Sequence, residues 1–498
     1  WRCLDCFGRR DMCITCICTT HLDDPFHRVA WYNGRHFRGS WLSEAGCAIY
    51  LCANSSYGSP CPHNKQAYQT NITTRVPSHL RRPQTEAHSD SKAAPQDLHN
   101  FPVMVLIHAN GVHNIGVNFC RCPNHLSDDL QLLSHGLYPA SRDRPSTAFH
   151  MRSMDTTLID HLECRTSNEA GWKKLCRLTV PENPKETPNR YPVMLRVIRE
   201  YRAIVQLDIF GFIHQAPGQW TMPGDGELCW PCIACPNEFN LPEEWNEMTD
   251  EERTYYFYAW VLDGNMKAEH TLSRRPDNNV QIFSGAGQLP DPVDFASATG
   301  SLKTDKGLPA HLEPCHQHKA AAATGSKTDP SKDIRGILSV CCARHGSILR
   351  GATVNIDSSE KYAQADYALN RTMRLNMSDN VSNRFVLGYD IVCQYLIHLL
   401  LRFQHFDHLE WPHFIHERTG IVGVWHIFAH VPECFGRFAS LYGWGIGIID
   451  GEILETLWSL LNLITESCRN MSLANREETI SFFIADMNFK KLIDFGMS

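Results

Sequence analysis

Soft metal ligands open this chain. Over the first 27 residues they run Cys3-x2-Cys6-x6-Cys13-x2-Cys16-x4-His21-x5-His27, and thiolate and imidazole at such short spacings suit tetrahedral zinc. The order fits two interleaved sites, or one site with a rim, and Cys52, Cys61 or His63 can complete a second. Cys18 and Cys47 are read as non-ligands. So short a segment has little apolar core, and metal would have to hold it together. Four further sets follow. His113, Cys120 and Cys122 lack a fourth ligand, and Cys229-x2-Cys232-x2-Cys235 needs one more group from elsewhere. Cys341, Cys342 and His345 are possible partners of Cys315. His426, His430 and Cys434 recur at intervals of four, one helical face if Pro432 lets the turn continue. For each set the plain alternative is a reduced, buried cysteine or a packed histidine without metal.

Carboxylates carry a second chemistry. In IGIIDGEILETLWSLLN, residues 446–462, Glu452 and Glu455 stand three apart, a spacing that shares a helix face, with Trp458 one step further along it. Gly443, Gly445 and Gly447 precede this run, and Asp450 is the expected cap. Two acids far upstream end apolar runs: Asp263 closes YYFYAWVLD, and Asp390 closes RFVLGYD. Singly, each reads as a solvated acid or a helix cap. Together, two acids on strand ends and one on a late helix suit a pair of hard cations, Mg2+ or Mn2+, about 3.5–4 Å apart. Such a pair clamps the attacking and leaving oxygens of a phosphodiester.

These groups must be positioned by a chain of 498 residues, enough for two to four domains of ordinary size. Apolar content of 43% and charged content of 20% are those of a globular protein, and no apolar run approaches the roughly 20 residues that span a bilayer. The net charge of -7 does not mark a nucleic-acid binder, so DNA contact would fall to local pairs such as Arg81-Arg82, Arg274-Arg275 or Lys490-Lys491. Cysteine pairs mixed with histidine favour zinc in a reducing compartment. Sequons such as that at Asn71 keep a secreted, disulfide-rich alternative open.

Pattern divides the chain into a Cys/His module over 1–63, a polar linker over 64–100, a middle domain over 101–200 and a long region over 201–498. FPVMVLIHANGVHNIGVNFCRC predicts two strands about the turn Ala109-Asn110-Gly111. Residues 190–212 predict a helix, and 284–332 a loop-rich insert holding Cys315, His316 and His318. Strands are expected at YYFYAWVLD, GILSVCC and Phe385 to Tyr389, with an apolar helix from Ile391 to Arg402.

Several segments resemble the KDZ (Kyakuja–Dileera–Zisupton) transposases of fungi and the cysteine cluster that accompanies them. They are the N-terminal C-x2-C pairs with HLDDPFHRVAWYNG, GVHNIGVNFCRC with QLLSHGLYPASRDRPSTAF, and IACPNEFNLPEEW, followed by VLDGN, CCARH, SEKYAQADYAL, GYDIVCQY, HIFAHVPECF and DGEILETLWSLLN. The resemblance departs at Asp263-Gly264-Asn265-Met266 and Ser359-Glu360-Lys361-Tyr362, where the family has Asp-Ala-Asn-Phe and Gly-Glu-Arg-Tyr, and at Cys52, where a Leu-Gly-His segment is expected. It implies an α/β (α+β) fold: an RNase H-like catalytic core within 201–498, inserted helical and Cys/His segments, and small zinc modules of treble-clef or cross-brace type before it. It makes 101–200 the associated cysteine-cluster domain. It implies a DDE triad of Asp263, Asp390 and either Glu452 or Glu455, with Mg2+ or Mn2+ at the triad and structural Zn2+ at the clusters. The expected partners are transposon-end and target DNA, with homo-oligomers and a nuclear location and no membrane. The alternative is an inactive, zinc-stabilised DNA-binding or chromatin-associated derivative.

Overall fold

The computed structural model describes residues 1–64, 99, 101–237, 240–304, 315, 329–357, 361–379 and 381–497. Arg81-Arg82, Asn71, His316, His318, Ser359-Glu360 and nearly all of the 64–100 stretch lie outside these. The chain forms two compact units, Trp1–Arg202 and Ala203–Ser498.

In the first unit β1 (Arg2–Cys3), β2 (Val29–Tyr32) and β3 (Phe37–Ser40) form an antiparallel sheet in that order. The helix Ile14–Thr20 buries Ile17 with Cys3, Val29, Leu42, Ala45 and Cys47. That core is small, as so short a segment predicts. A second sheet has β4 (Ala48–Tyr50), β5 (Val103–His108), β6 (Gly111–Asn118), β7 (Leu137–Pro139) and β8 (Thr147–His150), ordered β4-β6-β5-β8-β7. The expected hairpin is β5 with β6, closing at His108 opposite Gly111. Met104, Leu106, Ile115, Val117 and Ala148 interleave from these strands into one core.

The second unit is built on a mixed sheet. Its strands are β9 (Tyr258–Asn265), β12 (Gly336–Cys342), β13 (Ile348–Ile356), β14 (Arg384–Gly388) and β15 (Glu417–Ile421), while β10 (His270–Thr271) and β11 (Lys332–Ile334) form a separate ribbon. The order is β13-β12-β9-β14-β15. The first three pair antiparallel, β14 runs parallel to β9, and β15 runs parallel to β14. β9 lies at the centre, and Tyr258 to Leu262 are all buried, as a strand covered on both faces requires. A parallel neighbour needs a crossover. Here the helix Tyr362–Asn376 leads from β13 to β14 and packs on β13 and β12.

Buried charge fixes that helix. Asp366 accepts from Arg402 at 2.6 and 2.9 Å and from the Tyr395 hydroxyl at 2.7 Å. Burial pushes the Asp366 carboxyl up, and Arg402 opposes the shift. The expected helix from Ile391 to Arg402 is divided into Val392–Tyr395, a 3-10 turn Leu396–His398 and Leu399–His405. The tighter turn changes side-chain phase, so Cys393 faces other thiols while Tyr395 and Arg402 both reach Asp366. Among the described residues no helix is long and apolar enough to cross a membrane.

Removing one partner of a buried ion pair strands the other charge. Arg402→Leu should therefore destabilise the second unit by about 3–5 kcal/mol, and the double change Asp366→Leu with Arg402→Leu by less. Urea unfolding of the zinc-loaded protein measures both, and a double variant weaker than the single would contradict this.

Candidate carboxylate and zinc centres

Four compact Cys/His groups stand among the described residues, and within each the donor atoms lie within 4.8 Å of one another. A tetrahedral zinc with bonds of about 2.0–2.3 Å has ligand edges of about 3.3–3.8 Å, and the donor separations of 3.2–3.9 Å in these groups lie close to that range. They could hold structural zinc. In the first, Cys6 Sγ lies 3.3 Å from His21 Nε2 and 3.4 Å from His27 Nδ1, and Cys3 Sγ lies 3.6 Å from His27 Nδ1. His21 is oriented by its Nδ1 donating to the Ile17 carbonyl at 2.7 Å, the outer-shell bond a metal-bound imidazole needs. The second joins Cys52, Cys61, Cys120 and Cys122, with Cys122 Sγ at 3.8 Å from Cys52 and 3.7 Å from Cys61. His63 adjoins it, Nδ1 3.4 Å from Cys122 Sγ.

The third group is Cys232, Cys235, Cys342 and His345, with Cys235 and Cys342 at 3.2 Å and His345 Nδ1 at 3.3 Å from Cys342. The fourth is Cys315, Cys393, His430 and Cys434, with His430 Nδ1 3.5 Å from both Cys315 and Cys393. These groupings differ from the sequence expectation in definite ways. Cys13 caps the helix Ile14–Thr20, which leaves Cys13 and Cys16 exposed beside each other and apart from the first group. Cys52 and Cys61 serve with Cys120 and Cys122, so the N-terminal module is not completed by them. His113 lies within β6 and bonds Asn110 Oδ1 at 3.0 Å, while Cys120 and Cys122 lie beyond that strand's end. Cys341 and Cys342 are neighbours on β12, so they point to opposite faces and only Cys342 joins a group. Cys229 is buried outside the third group, and burial pushes its thiol up to about 11. Cys315 pairs with the fourth group rather than with Cys342 and His345. Cys393 was missed because, in an apolar run, it looks like any buried cysteine.

His426 separates from His430 and Cys434 because Pro432 starts a new helix, Pro432–Phe438, after the turn His426–Ala429. It lies instead among acids. Gly388 pairs with Val261 in the parallel register of β14 and β9, and Asp390 and Asp263 each follow two residues later. Asp263, still within β9, and Asp390, just beyond β14, therefore stand at the same level on neighbouring strands, and the strand expected to end at Asp263 continues to Asn265. The helix Ile453–Cys468 runs beside β9. Trp458 Nε1 donates to Asp263 Oδ2 at 2.7 Å, and Asn265 Nδ2 donates to Asn462 Oδ1 at 2.9 Å. Four helical residues rise about 6 Å and two strand residues about 6.6 Å, so the two pairs match in pitch. Glu455 lies one turn before Trp458 and is exposed.

Glu452 does not share that helix face. With φ -111° and ψ 12° it precedes the helix, and its N–H donates to Asp450 Oδ1 at 3.0 Å. Its carboxylate turns back to accept from Trp425 N–H at 3.0 Å and His426 Nδ1 at 2.9 Å. Gly423 permits this approach, since a Cβ there would meet Glu452 Oε1 at 2.1 Å. His426 Nε2 lies 3.3 Å from Asp390 Oδ2, so one imidazole spans both acids. The hydrogen bond to Glu452 raises His426 to about 9, aided by Asp390. Burial pushes Asp390 up to about 6, against the pull of His426 and reinforced by the charges of Glu452 and Glu455. Burial works against Glu452 too, yet the bonds from His426 and Trp425 hold it below the usual glutamate range.

Residues 256–488 match the family described as Kyakuja-Dileera-Zisupton transposase. Residues 83–183 match the CxC2 like cysteine cluster associated with KDZ transposases. No curated protein and no solved structure matches the chain.

Zinc content separates true ligands from neighbours in sequence. The purified chain should carry four zinc ions, Cys235→Ser and Cys434→Ser three each, and Cys229→Ser and Cys341→Ser four. Elemental analysis under reducing conditions reads this, and loss of zinc from Cys341→Ser with none from Cys235→Ser would reverse the grouping.

Proposed function

We propose that this chain, whose residues 256–488 match the Kyakuja-Dileera-Zisupton transposase family, is a DDE-type enzyme that cuts and joins DNA at transposon ends. One observation carries this reading: the register sets Asp263 and Asp390 side by side, and Trp458 locks the glutamate-bearing helix onto the first of them. Three antiparallel strands, a crossover helix and two strands parallel to the first make the order expected of an RNase H-like core. Such a core carries its catalytic acids on the central strands, which supports assigning them to Asp263 within β9 and Asp390 just after β14.

Asp263, Asp390 and one of Glu452 and Glu455 would hold Mg2+ or Mn2+; when bound, the metal pair activates water or a 3′-hydroxyl and stabilises the departing 3′ oxygen. The protein's own work is positioning. β9 and β14 fix the two aspartates, Trp458 orients Asp263, and His426 orients Asp390 and Glu452. The zinc-bearing groups brace the folds that present DNA to this site. Work on chromosomal DNA puts the protein in the nucleus, and joining two element ends calls for more than one copy. A second reading, an inactive DNA-binding derivative, is favoured by His426 itself, which stands between Asp390 and Glu452 as a bound cation would.

Cleavage of DNA bearing the element's terminal repeats, with and without Mg2+, decides between them. An orienting partner is worth roughly 10–100-fold, so His426→Ala should lose about that much and Asp390→Asn or Asp263→Asn more. Glu452→Gln and Glu455→Gln identify the third acid by which one matches the aspartate variants. Equal cleavage by wild type and Asp390→Asn would remove Asp390 from the mechanism, and metal-independent or absent cleavage would favour the second reading.

A further inference from the structure

The turn that carries His426 also exposes aromatic rings. Trp425 is 79% exposed and Phe428 74%, large apolar faces that folding alone gives no reason to leave in water. Trp425 precedes the 3-10 turn His426–Ala429 and Phe428 lies within it, three residues apart, a spacing that superposes side chains in such a turn. The ring of Phe428 lies 5.6 Å from that of Phe435, which lies 5.8 Å from that of Tyr442, itself 64% exposed. The rings form a tilted file and do not close over one another.

Two features say what lies on this file. The first is continuity with the acids: Trp425 N–H bonds Glu452, and the next residue reaches Asp390. Whatever the aspartates act on passes beside Trp425. The second is rigidity. His430 and Cys434 of the fourth Cys/His group hold the turn and the following helix, and Val422 N–H and Val424 N–H tie its entry to Phe438 and Asp450 at 2.7 and 2.9 Å. A fixed aromatic face loses little entropy on binding. Beside a phosphodiester, the apolar partner of matching shape is a nucleobase, and a base exposes its face once it is unpaired. Arg437, exposed on the same helix, adds positive charge for the backbone.

We propose that Trp425 and Phe428, on the turn that leads into His430 of the fourth Cys/His group, form a stacking platform for an unpaired base next to the phosphodiester that the acids cleave. The proposal rests on the reading of the acids as a DNA-cleaving centre. Stacking on aromatic side chains is sequence-tolerant, so this platform recognises the melted or unpaired state of the strand end and leaves sequence reading to other surfaces.

The test uses the full zinc-loaded chain without added Mg2+ and two synthetic duplexes, one with a single unpaired 2-aminopurine and one fully paired. Wild type should quench the unpaired base and bind that duplex about tenfold more tightly than the paired one. Trp425→Ala and Phe428→Ala should each lose most of the preference, while Trp425→Phe keeps most of it, with zinc content equal in all. A preference unchanged in Trp425→Ala, or absent from wild type, would overturn the proposal. So would a variant that changes only the sedimentation of the protein, since the face would then be a contact between copies. Should wild type show the preference yet fail to cut when Mg2+ is added, the platform stands and the cleavage reading falls.

Discussion

Asp263 and Asp390 stand at one level on parallel neighbouring strands, and burial makes the ionisation of Asp390 harder. The fold sets them there: β14 lies against β9, Gly388 opposite Val261, and each chain runs two residues further to its acid. Two side chains partner these acids locally. Trp458 donates to Asp263, and the imidazole of His426 spans Asp390 and Glu452.

The rest of the second unit serves that register. The crossover helix links β13 to β14, and the buried Asp366, Tyr395 and Arg402 hold it in place. Cys393 leaves the same short helix to meet His430 and Cys434, so the groups that could bind zinc stand one step from the acids along the chain. Cys342 ends β12, the strand paired with β9, and its group grips the other side of the sheet.

Much of this frame was legible in the sequence. The β5–β6 hairpin followed from Asn110-Gly111 between apolar runs, and β9, β12 and β14 from runs of apolar residues bounded by acids and turns. Asp263 and Asp390 were found as acids ending such runs. Less legible was anything decided by a half-turn of backbone. Glu452 and Glu455 share a helical spacing, yet the first lies before the helix and turns away. His426, His430 and Cys434 share one too, yet Pro432 divides them. Ligand sets built from distant segments, such as Cys52 and Cys61 with Cys120 and Cys122, had no local signal beyond the cysteines themselves. Periodicity reports faces within an element; it does not report where an element begins.

The most direct measurement is anomalous diffraction from crystals of the zinc-loaded protein with DNA, grown in Mn2+. Manganese peaks bound jointly by Asp263, Asp390 and a glutamate, and absent from the Asp263→Asn, Asp390→Asn double variant, are the expected result. Peaks elsewhere, or none in the wild-type crystals while DNA is bound, would contradict a shared metal site and with it the reading of this chain as a cleaving enzyme.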